Sequence, residues 1–153
     1  MFAVYMLLAL VAGMALATQS AINTQLAKAM SGEPFIATFI SFAVGTVALF
    51  FIAWAKTDLF GNLAGLGQQP LWKLSGGLLG AMFVFTTVLL APKLGIANML
   101  FVIIVGQLAA AAVIDHFGLI GMAAREISLP KLIGLGVMAL GLAVFSFGDK
   151  MFK

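Results

Sequence analysis

Five long apolar segments alternate with short polar segments along the chain. An α-helix needs about 20 predominantly apolar residues to cross a bilayer, and each of these segments is close to that length. The segments predict transmembrane helices at residues 2–27, 34–55, 71–91, 96–116 and 131–148. The pattern therefore predicts an all-α integral membrane protein with a single transmembrane domain over residues 1–153.

The polar segments set the helix boundaries. Pro34 suits the first turn of a helix, where its missing N–H is not needed. Residues 56–73 form the longest polar stretch and are interpreted as a loop, and Pro92 to Gly95 is interpreted as a turn. The fourth helix either ends at Asp115 or continues through the Asp115–His116 pair, and the sequence leaves both readings open.

Composition supports a membrane protein and excludes several other classes. The chain is 63% hydrophobic and only 8% charged, whereas a soluble domain carries about 25% charged residues. It has no cysteine, so neither disulfides nor thiol chemistry is expected. We find no metal-ligand spacing, no nucleophile–base motif and no basic nucleic-acid footprint. We therefore expect neither an enzyme nor a bound cofactor, metal or nucleic acid; the expected partners are the lipid bilayer and a small-molecule substrate.

The N-terminal apolar segment resembles a secretory signal peptide only superficially. Signal peptides carry a positively charged region ahead of their apolar run, and no Lys or Arg precedes this one. We therefore expect the first helix to belong to the mature protein.

Basic residues are balanced between the two sides of the predicted membrane domain. Four lie on the side of the N-terminus and four on the other: Lys56, Lys73, Arg125 and Lys131 against Lys28, Lys93, Lys150 and Lys153. An excess of Lys and Arg normally keeps loops in the cytoplasm, so this balance gives almost no orientation bias. Either the chain inserts both ways and forms antiparallel homodimers, or its N-terminal residues set one orientation.

Uncharged polar side chains interrupt the first helix. Gln19 and Asn23 are four residues apart and share one helix face. A carboxamide in lipid must find hydrogen-bonding partners, so these two side chains face either the protein interior or water. They are candidate substrate-binding residues; hydrogen bonding between helices, or a position at the headgroups, explains them equally well.

The fourth helix carries the other candidate residues. Asn98 lies near its start and Gln107 near its middle, and both are candidate substrate-binding residues, with helix packing as the alternative for Gln107. Asp115 and His116 are candidates for proton coupling if the helix continues through them. If the helix ends there, they are interfacial residues. The first helix has no carboxylate, which disfavours the mechanism by which small multidrug exporters exchange protons for lipophilic cations.

Small residues recur on single faces of the helices. The third helix has a GxxxG pattern within Gly76, Gly77 and Gly80. The other two stripes are spaced by four in the first helix and by seven in the fifth: Ala9, Gly13, Ala17 and Ala21, and Gly134, Gly141 and Gly148. Such spacing lets helix backbones approach closely, so these faces are expected to serve helix packing.

Several segments together resemble the YdcZ-type inner-membrane proteins, five-helix members of the drug/metabolite transporter superfamily. The most specific are Gly106–Gln107 and Ile114 to Gly118, supported by residues 21–26, 41–46, 76–80 and 92–95. The resemblance covers nearly the whole chain. It implies a bacterial inner-membrane location, solute transport, and a unit related to half of a ten-helix transporter that pairs antiparallel.

The resemblance also places recurrent polar residues of the family on Asn23, Gln107, Asp115 and His116. The leading hypothesis is a transporter of two antiparallel copies, whose polar residues on the first and fourth helices line a central cavity. Alternating access would come from helices rocking around that cavity. A small-solute or ion channel, and a non-transporting subunit of a larger complex, are the alternatives.

Overall fold

A computed structural model describes the backbone of residues 1–151 and the side-chain environments up to Gly148. Lys153 and the side chain of Lys150, both part of the charge balance, lie outside this described portion. Within it the helices are α1 Phe2–Ala29, α2 Pro34–Lys56, α3 Leu59–Ala64, α4 Ser75–Leu94, α5 Ile96–Phe117 and α6 Leu129–Met151. Short 3₁₀ turns lie at Leu66–Gln68, Leu71–Leu74 and Leu119–Gly121.

The prediction of an all-α protein with five apolar helices is confirmed. In the described residues, all the long helices (α1, α2, α4, α5 and α6) are long and apolar enough to cross a membrane. Leu, Val, Ile, Ala and Phe dominate them, and most of their large apolar side chains are exposed in the single chain. Because hydrocarbon is as apolar as these side chains, such exposure suits a lipid-facing surface.

Helix α4 extends past the predicted turn at Pro92. It continues through Pro92 and ends at Leu94, whereas the sequence predicted an end at residue 91. Proline lacks only one N–H, so it is tolerated in a last turn even though it weakens it. The helix ends because Gly95 adopts a φ of +77°, a left-handed conformation that suits glycine.

Residues 56–73, interpreted as a polar loop, contain helix α3, the 3₁₀ turn Leu66–Gln68 and most of the 3₁₀ turn Leu71–Leu74. Asp58 caps α3, and its Oδ1 accepts a hydrogen bond from the N–H of Gly61 over 3.1 Å. Phe60, Leu71 and Trp72 are exposed along this segment. Their exposure beside Lys73 resembles the aromatic and basic anchors found at membrane interfaces.

Residues 1–93 form one compact unit, in which α1, α2 and α4 bury small side chains. Its apolar cluster contains Ala27, Ala37, Val84 and Val88. Phe35 of α2 stacks on a phenylalanine of α4, with ring centroids 4.3 Å apart. Small residues at the contact allow the close backbone approach on which membrane helices depend.

The predicted packing face of the first helix is buried only towards its C-terminal end, where Ala17 and Ala21 are half-buried. Ala9 and Gly13 are exposed, and a Cβ added at Gly13 would meet no atom within 4 Å. The buried residues of α1 are Ser20, Asn23, Thr24 and Ala27, near its C-terminal end. The reason is positional: α1 approaches α2 near the short turn that connects them, which is the turn of Ser31 and Gly32.

Residues 94–153 form the second compact unit, described through Met151. Its main contact is between α5 and α6, where Phe101 and Phe145 stack with centroids 5.5 Å apart. Gly134 and Gly141 of α6, predicted to pack, are exposed instead. Between the two helices, residues 118–128 comprise the 3₁₀ turn Leu119–Gly121 and a segment without regular secondary structure that folds back onto the end of α5; we call residues 118–128 the strap.

Candidate functional site

The polar end of α1 is buried within the first unit. Ser20 and Asn23 are only 3% and 4% exposed, and Thr24 is buried beside them. They share a face because residues three and four apart in a helix lie one above the other. Helix α1 thus presents Ser20, Asn23 and Thr24 to the protein, whereas Thr18, Gln19 and Gln25 are exposed.

The hydroxyl groups of the buried threonines in this unit are hydrogen-bonded within their own helices. Thr24 donates to the carbonyl of Ser20 over 2.7 Å, Thr38 to Pro34 over 2.8 Å, and Thr87 to Val84 over 2.8 Å: each bonds within its own helix. Bonding back to the preceding turn is the usual arrangement for threonine in an apolar setting. These hydroxyls therefore need no further partner.

Ser20 and Asn23 differ from the threonines. The Oγ of Ser20 and the Nδ2 of Asn23 are buried and lack a hydrogen-bond partner among the described residues. Leaving a buried donor unpaired costs roughly 1–3 kcal/mol. Two such atoms lie three residues apart on one helix face, and the described residues leave their hydrogen-bonding capacity unused.

A groove of about 500 Å³ runs between α1 and α2 beside these residues. Both α1 candidates from the sequence, Gln19 and Asn23, line it. Its remaining lining residues are uncharged: Ala15, Thr18, Ile22, Leu26, Ile40, Ser41 and Val44. The structure thus brings Gln19 and Asn23 together on one surface with hydroxyl and apolar neighbours.

Sequence reasoning did not select Thr18 and Ser41 as site residues. Thr18 donates to the carbonyl of Met14, and Ser41 is half-buried on α2. The available signal was weak, because a single hydroxyl residue in an apolar helix is common and Ser41 faces Gln19 and Asn23 only through the pairing of α1 with α2.

The candidate residues of α5 are spread along that helix. Asn98 lies in its first turn, where Nδ2 donates to the carbonyl of Leu94 over 3.2 Å while the buried Oδ1 has no partner among the described residues. Gln107 is exposed near the middle of the helix. At 1.5 Å per residue, about 25 Å separates Asn98 from Asp115 along the helix axis.

Asp115 and His116 lie in the last turn of α5. The helix ends at Phe117, and Gly118 takes the left-handed C-cap position with a φ of +61°. The helix therefore does not end at Asp115: it continues through both residues and ends one residue beyond His116. Both side chains are half-buried.

The strap holds the end of α5 through two hydrogen bonds. The N–H of Arg125 donates to the carbonyl of Asp115 over 2.6 Å. The N–H of Ile127 donates to Nδ1 of His116 over 3.3 Å, so this nitrogen acts as an acceptor. The first bond satisfies a carbonyl that the helix end leaves free.

A second groove of about 500 Å³ lies between α5, α6 and the strap. Charged residues at one end of it are Asp115, Arg125 and Lys131. The rest of its lining is apolar or glycine: Leu108, Ala111, Ala112, Ile127, Gly134, Leu135 and Met138. Sequence reasoning assigned Arg125 and Lys131 to a loop and to a helix start, and it did not connect them to Asp115.

Within the described part of the chain, no group of three or more His, Cys, Asp or Glu residues could hold a metal ion. Asp115 and His116 are adjacent, but no third ligand of that kind joins them there. The chemistry that the two grooves offer is therefore hydrogen bonding, apolar contact and, in the second groove, charge.

Comparison with known families is decisive for the class of protein. The family model described as "Putative inner membrane exporter, YdcZ" matches residues 4–144. The chain belongs to the YdcZ family. It is therefore a multi-pass inner-membrane protein, and membrane transport is the activity that its family indicates.

A curated relative agrees with this assignment. The chain is 28% identical over 119 residues to the inner membrane protein YdcZ of Escherichia coli strain K12, which covers 78% of this chain and 79% of the relative. No solved structure matches the chain. A description as an exporter also fits a protein that is not an enzyme.

Proposed function

We propose that the chain exports a small, uncharged, hydrogen-bonding solute across the inner membrane, and that the α1–α2 groove is part of the solute path. The observation that carries the proposal is the unpaired Nδ2 of Asn23, buried at the edge of an uncharged groove. If Asn23 served only helix packing, its amide would be expected to have a hydrogen-bond partner, as the hydroxyls of the buried threonines do within their own helices.

The lining of the groove restricts the solute class. Its polar groups are the carboxamides of Gln19 and Asn23 and the hydroxyls of Thr18 and Ser41, and its remaining residues are aliphatic. A full charge placed among them would be desolvated without an opposite charge to compensate it. A neutral solute with donor and acceptor groups on an apolar frame suits these residues best.

We propose further that two copies pair antiparallel and work by alternating access. The balanced basic residues, the odd number of spans and the exposed small residues Ala9 and Gly13 of α1 support such a pair. Inverted repeats with their sites at the repeat interface are a common transporter design. In this arrangement Asn98 and Gln107 of α5 are further substrate-binding residues, and Asp115 and His116 are proton-coupling residues.

Flux into proteoliposomes tests the solute path. Purified protein is reconstituted and offered neutral, anionic and cationic metabolites, with Asn23→Leu as the variant and Thr24→Val as the matched control. We expect saturable flux of a neutral solute that falls at least about tenfold in Asn23→Leu, since 1.4 kcal/mol of lost binding corresponds to tenfold. Thr24→Val should keep flux within about twofold, because the Thr24 hydroxyl is satisfied by its own helix.

The other possible outcomes of the flux measurement would each point to a different role for Asn23 or for the chain. Equal flux in the wild type and Asn23→Leu would remove Asn23 from the path. Flux that rises linearly with concentration would indicate a channel instead of a carrier. No flux for any solute would favour a subunit of a larger complex.

The absence of native cysteine allows a clean test of orientation. A single Ser31→Cys substitution in the exposed α1–α2 turn is labelled in intact cells with a membrane-impermeant maleimide. Antiparallel pairing predicts labelling of about half of the chains, and Lys28→Gln with Lys93→Gln should shift that fraction strongly to one side. Labelling of all or none of the native chains would contradict an antiparallel homodimer.

A further inference from the structure

The α5–α6 groove combines apolar and charged lining residues, whereas the lining of the proposed solute path is uncharged. It is an elongated apolar surface with charged groups gathered at one end. Leu108 and Met138 lie at the far end of its lining, two helical turns or so from Asp115 and Lys131 along α5 and α6. At about 500 Å³ it falls in the size range of small-molecule sites, which is about 300–1,000 Å³.

The charged end carries an excess of positive charge. Arg125 from the strap and Lys131 from the first turn of α6 contribute two cations, and Asp115 contributes one carboxylate. Lys131 also stands at a helix N-terminus, where free N–H groups favour negative charge. An anionic group at this end would therefore meet two cations that Asp115 alone cannot neutralise.

The strap positions Arg125 by more than one contact. The two hydrogen bonds from Arg125 and Ile127 to the last turn of α5 fix the strap backbone on both sides of Glu126. At Gly118, an added Cβ would lie 3.1 Å from the carbonyl oxygen of Met122, so the strap passes directly over this glycine. The fold of residues 118–128 thus holds the backbone of Arg125 beside the groove.

Gly134 keeps the apolar part of the groove open. It lines the groove on α6, and an added Cβ there would meet nothing within 4 Å. A larger side chain at this position would enter open space without displacing a neighbour. The glycine therefore leaves room for a ligand where helix packing does not require it.

We propose that the α5–α6 groove binds an anionic amphiphile, with its phosphate or carboxylate group at Arg125 and Lys131 and its acyl chain along α5 and α6. Both a membrane phospholipid and a free single-chain amphiphile have this chemistry. Arginine forms paired, charge-assisted hydrogen bonds with phosphate and carboxylate groups, and basic pockets between membrane helices bind anionic headgroups. This site is separate from the uncharged solute path, and its test depends on binding and not on transport.

Native mass spectrometry of the full chain tests the proposal. The protein is purified in dodecyl maltoside and titrated separately with phosphatidylglycerol, phosphatidylcholine and dodecyl phosphate. The variants are Gly134→Leu, which fills the groove, and Arg125→Gln combined with Lys131→Gln, which removes its cations. The matched controls are Gly136→Leu, also in open space on α6 but outside the groove lining, and Lys73→Gln in the first unit.

We expect one tightly bound anionic amphiphile per chain, with affinity at least about tenfold above that for phosphatidylcholine, since each charge-assisted hydrogen bond is roughly twice as strong as a neutral one. Both groove variants should weaken binding about tenfold or more, and both controls should leave it within about twofold. Binding of phosphatidylglycerol with this dependence identifies a lipid site, and binding of dodecyl phosphate alone identifies a site for a free amphiphile.

Two results would overturn the proposal. One is equal binding of phosphatidylcholine and phosphatidylglycerol with no binding of dodecyl phosphate. The other is anionic binding that persists unchanged in the double variant Arg125→Gln and Lys131→Gln, whose polar replacements keep the side chains long and hydrogen-bonding. The double variant keeps the test decisive if Gly134→Leu fails to fold.

Discussion

The two grooves of this protein are similar in volume, but only the α5–α6 groove is lined by charged residues. The α1–α2 groove has uncharged lining residues and a buried amide without a partner. The α5–α6 groove gathers two cations and one carboxylate at one end of an apolar wall. The comparison teaches that in a chain with only 8% charged residues, the few charges are not distributed evenly over the available surfaces.

The difference follows from how each groove is built. The first forms between two long helices, and its polar residues must come from within apolar segments, where a charge costs about 2.5–3.5 kcal/mol. The second groove is lined by Arg125 of the strap and Lys131 at the start of α6, and both residues lie outside the apolar stretches. A groove that includes a connecting segment can therefore contain charged residues at a lower free-energy cost than a groove formed only by apolar helices.

Placing the same carboxylate in each groove gives the largest effect and tests the comparison directly. Ser41→Asp puts an uncompensated charge in the α1–α2 groove and should lower the free energy of unfolding by about 3 kcal/mol. Ala112→Asp puts it in the groove of Arg125 and Lys131, and its cost should be about 1 kcal/mol or more smaller because an opposite charge is available. Unfolding in mixed micelles titrated with sodium dodecyl sulfate measures both; equal losses would show that the grooves do not differ electrostatically.

A substitution at Gly118 tests whether the strap holds the charged end together. Gly118→Ala forces a side chain into a left-handed conformation at a φ of +61° and against the Met122 carbonyl, so it should cost about 1–2 kcal/mol. Gly136→Ala is the control, and it should stabilise α6 by about 0.5–1 kcal/mol because alanine favours a helix.

Hydrogen exchange locates this effect. Faster exchange of the Arg125 and Ile127 amides in Gly118→Ala is expected, since these N–H groups bond the last turn of α5. Unchanged protection of both amides would mean that the strap does not depend on Gly118.

The smallest effect is expected at a buried polar residue that already has its partner. Thr87→Val removes a hydroxyl that donates only to Val84 of its own helix, so stability should change by no more than about 0.5 kcal/mol. The same unfolding titration measures it. A loss above about 1 kcal/mol would show that a hydroxyl bonded within its own helix still contributes to stability, and would remove the contrast between the buried threonines and Asn23.

Several features were predictable from the order of residues alone. The five apolar helices follow from run length, because only a helix satisfies the backbone in lipid. Gln19 and Asn23 were found as a pair because carboxamides four residues apart share a face. Asp115 and His116 were recognised as the acid–imidazole pair of the chain, although their position relative to the helix end stayed open.

Other features depend on contacts between segments distant in sequence. Arg125 and Lys131 were read as loop and helix-start residues, and nothing in their spacing connects them to Asp115 or Gly134. The small-residue stripe of α1 is buried only towards its C-terminal end, because such a stripe permits close packing but does not say where along it a neighbour comes near. The continuation of α4 through Pro92 was missed since proline disfavours a helix without always ending one.

The sequence by itself determined that this is a five-helix membrane protein with a few uncharged polar groups in its first helix, because the thermodynamic cost of polar and charged groups in lipid acts on each segment separately. The tertiary structure decided which of those groups are left unpaired, and it decided that the strap folds back to place Arg125 over the end of α5. Those outcomes depend on which helix faces meet and on how a connecting segment satisfies free helix-end carbonyls, and both are properties of the assembled chain.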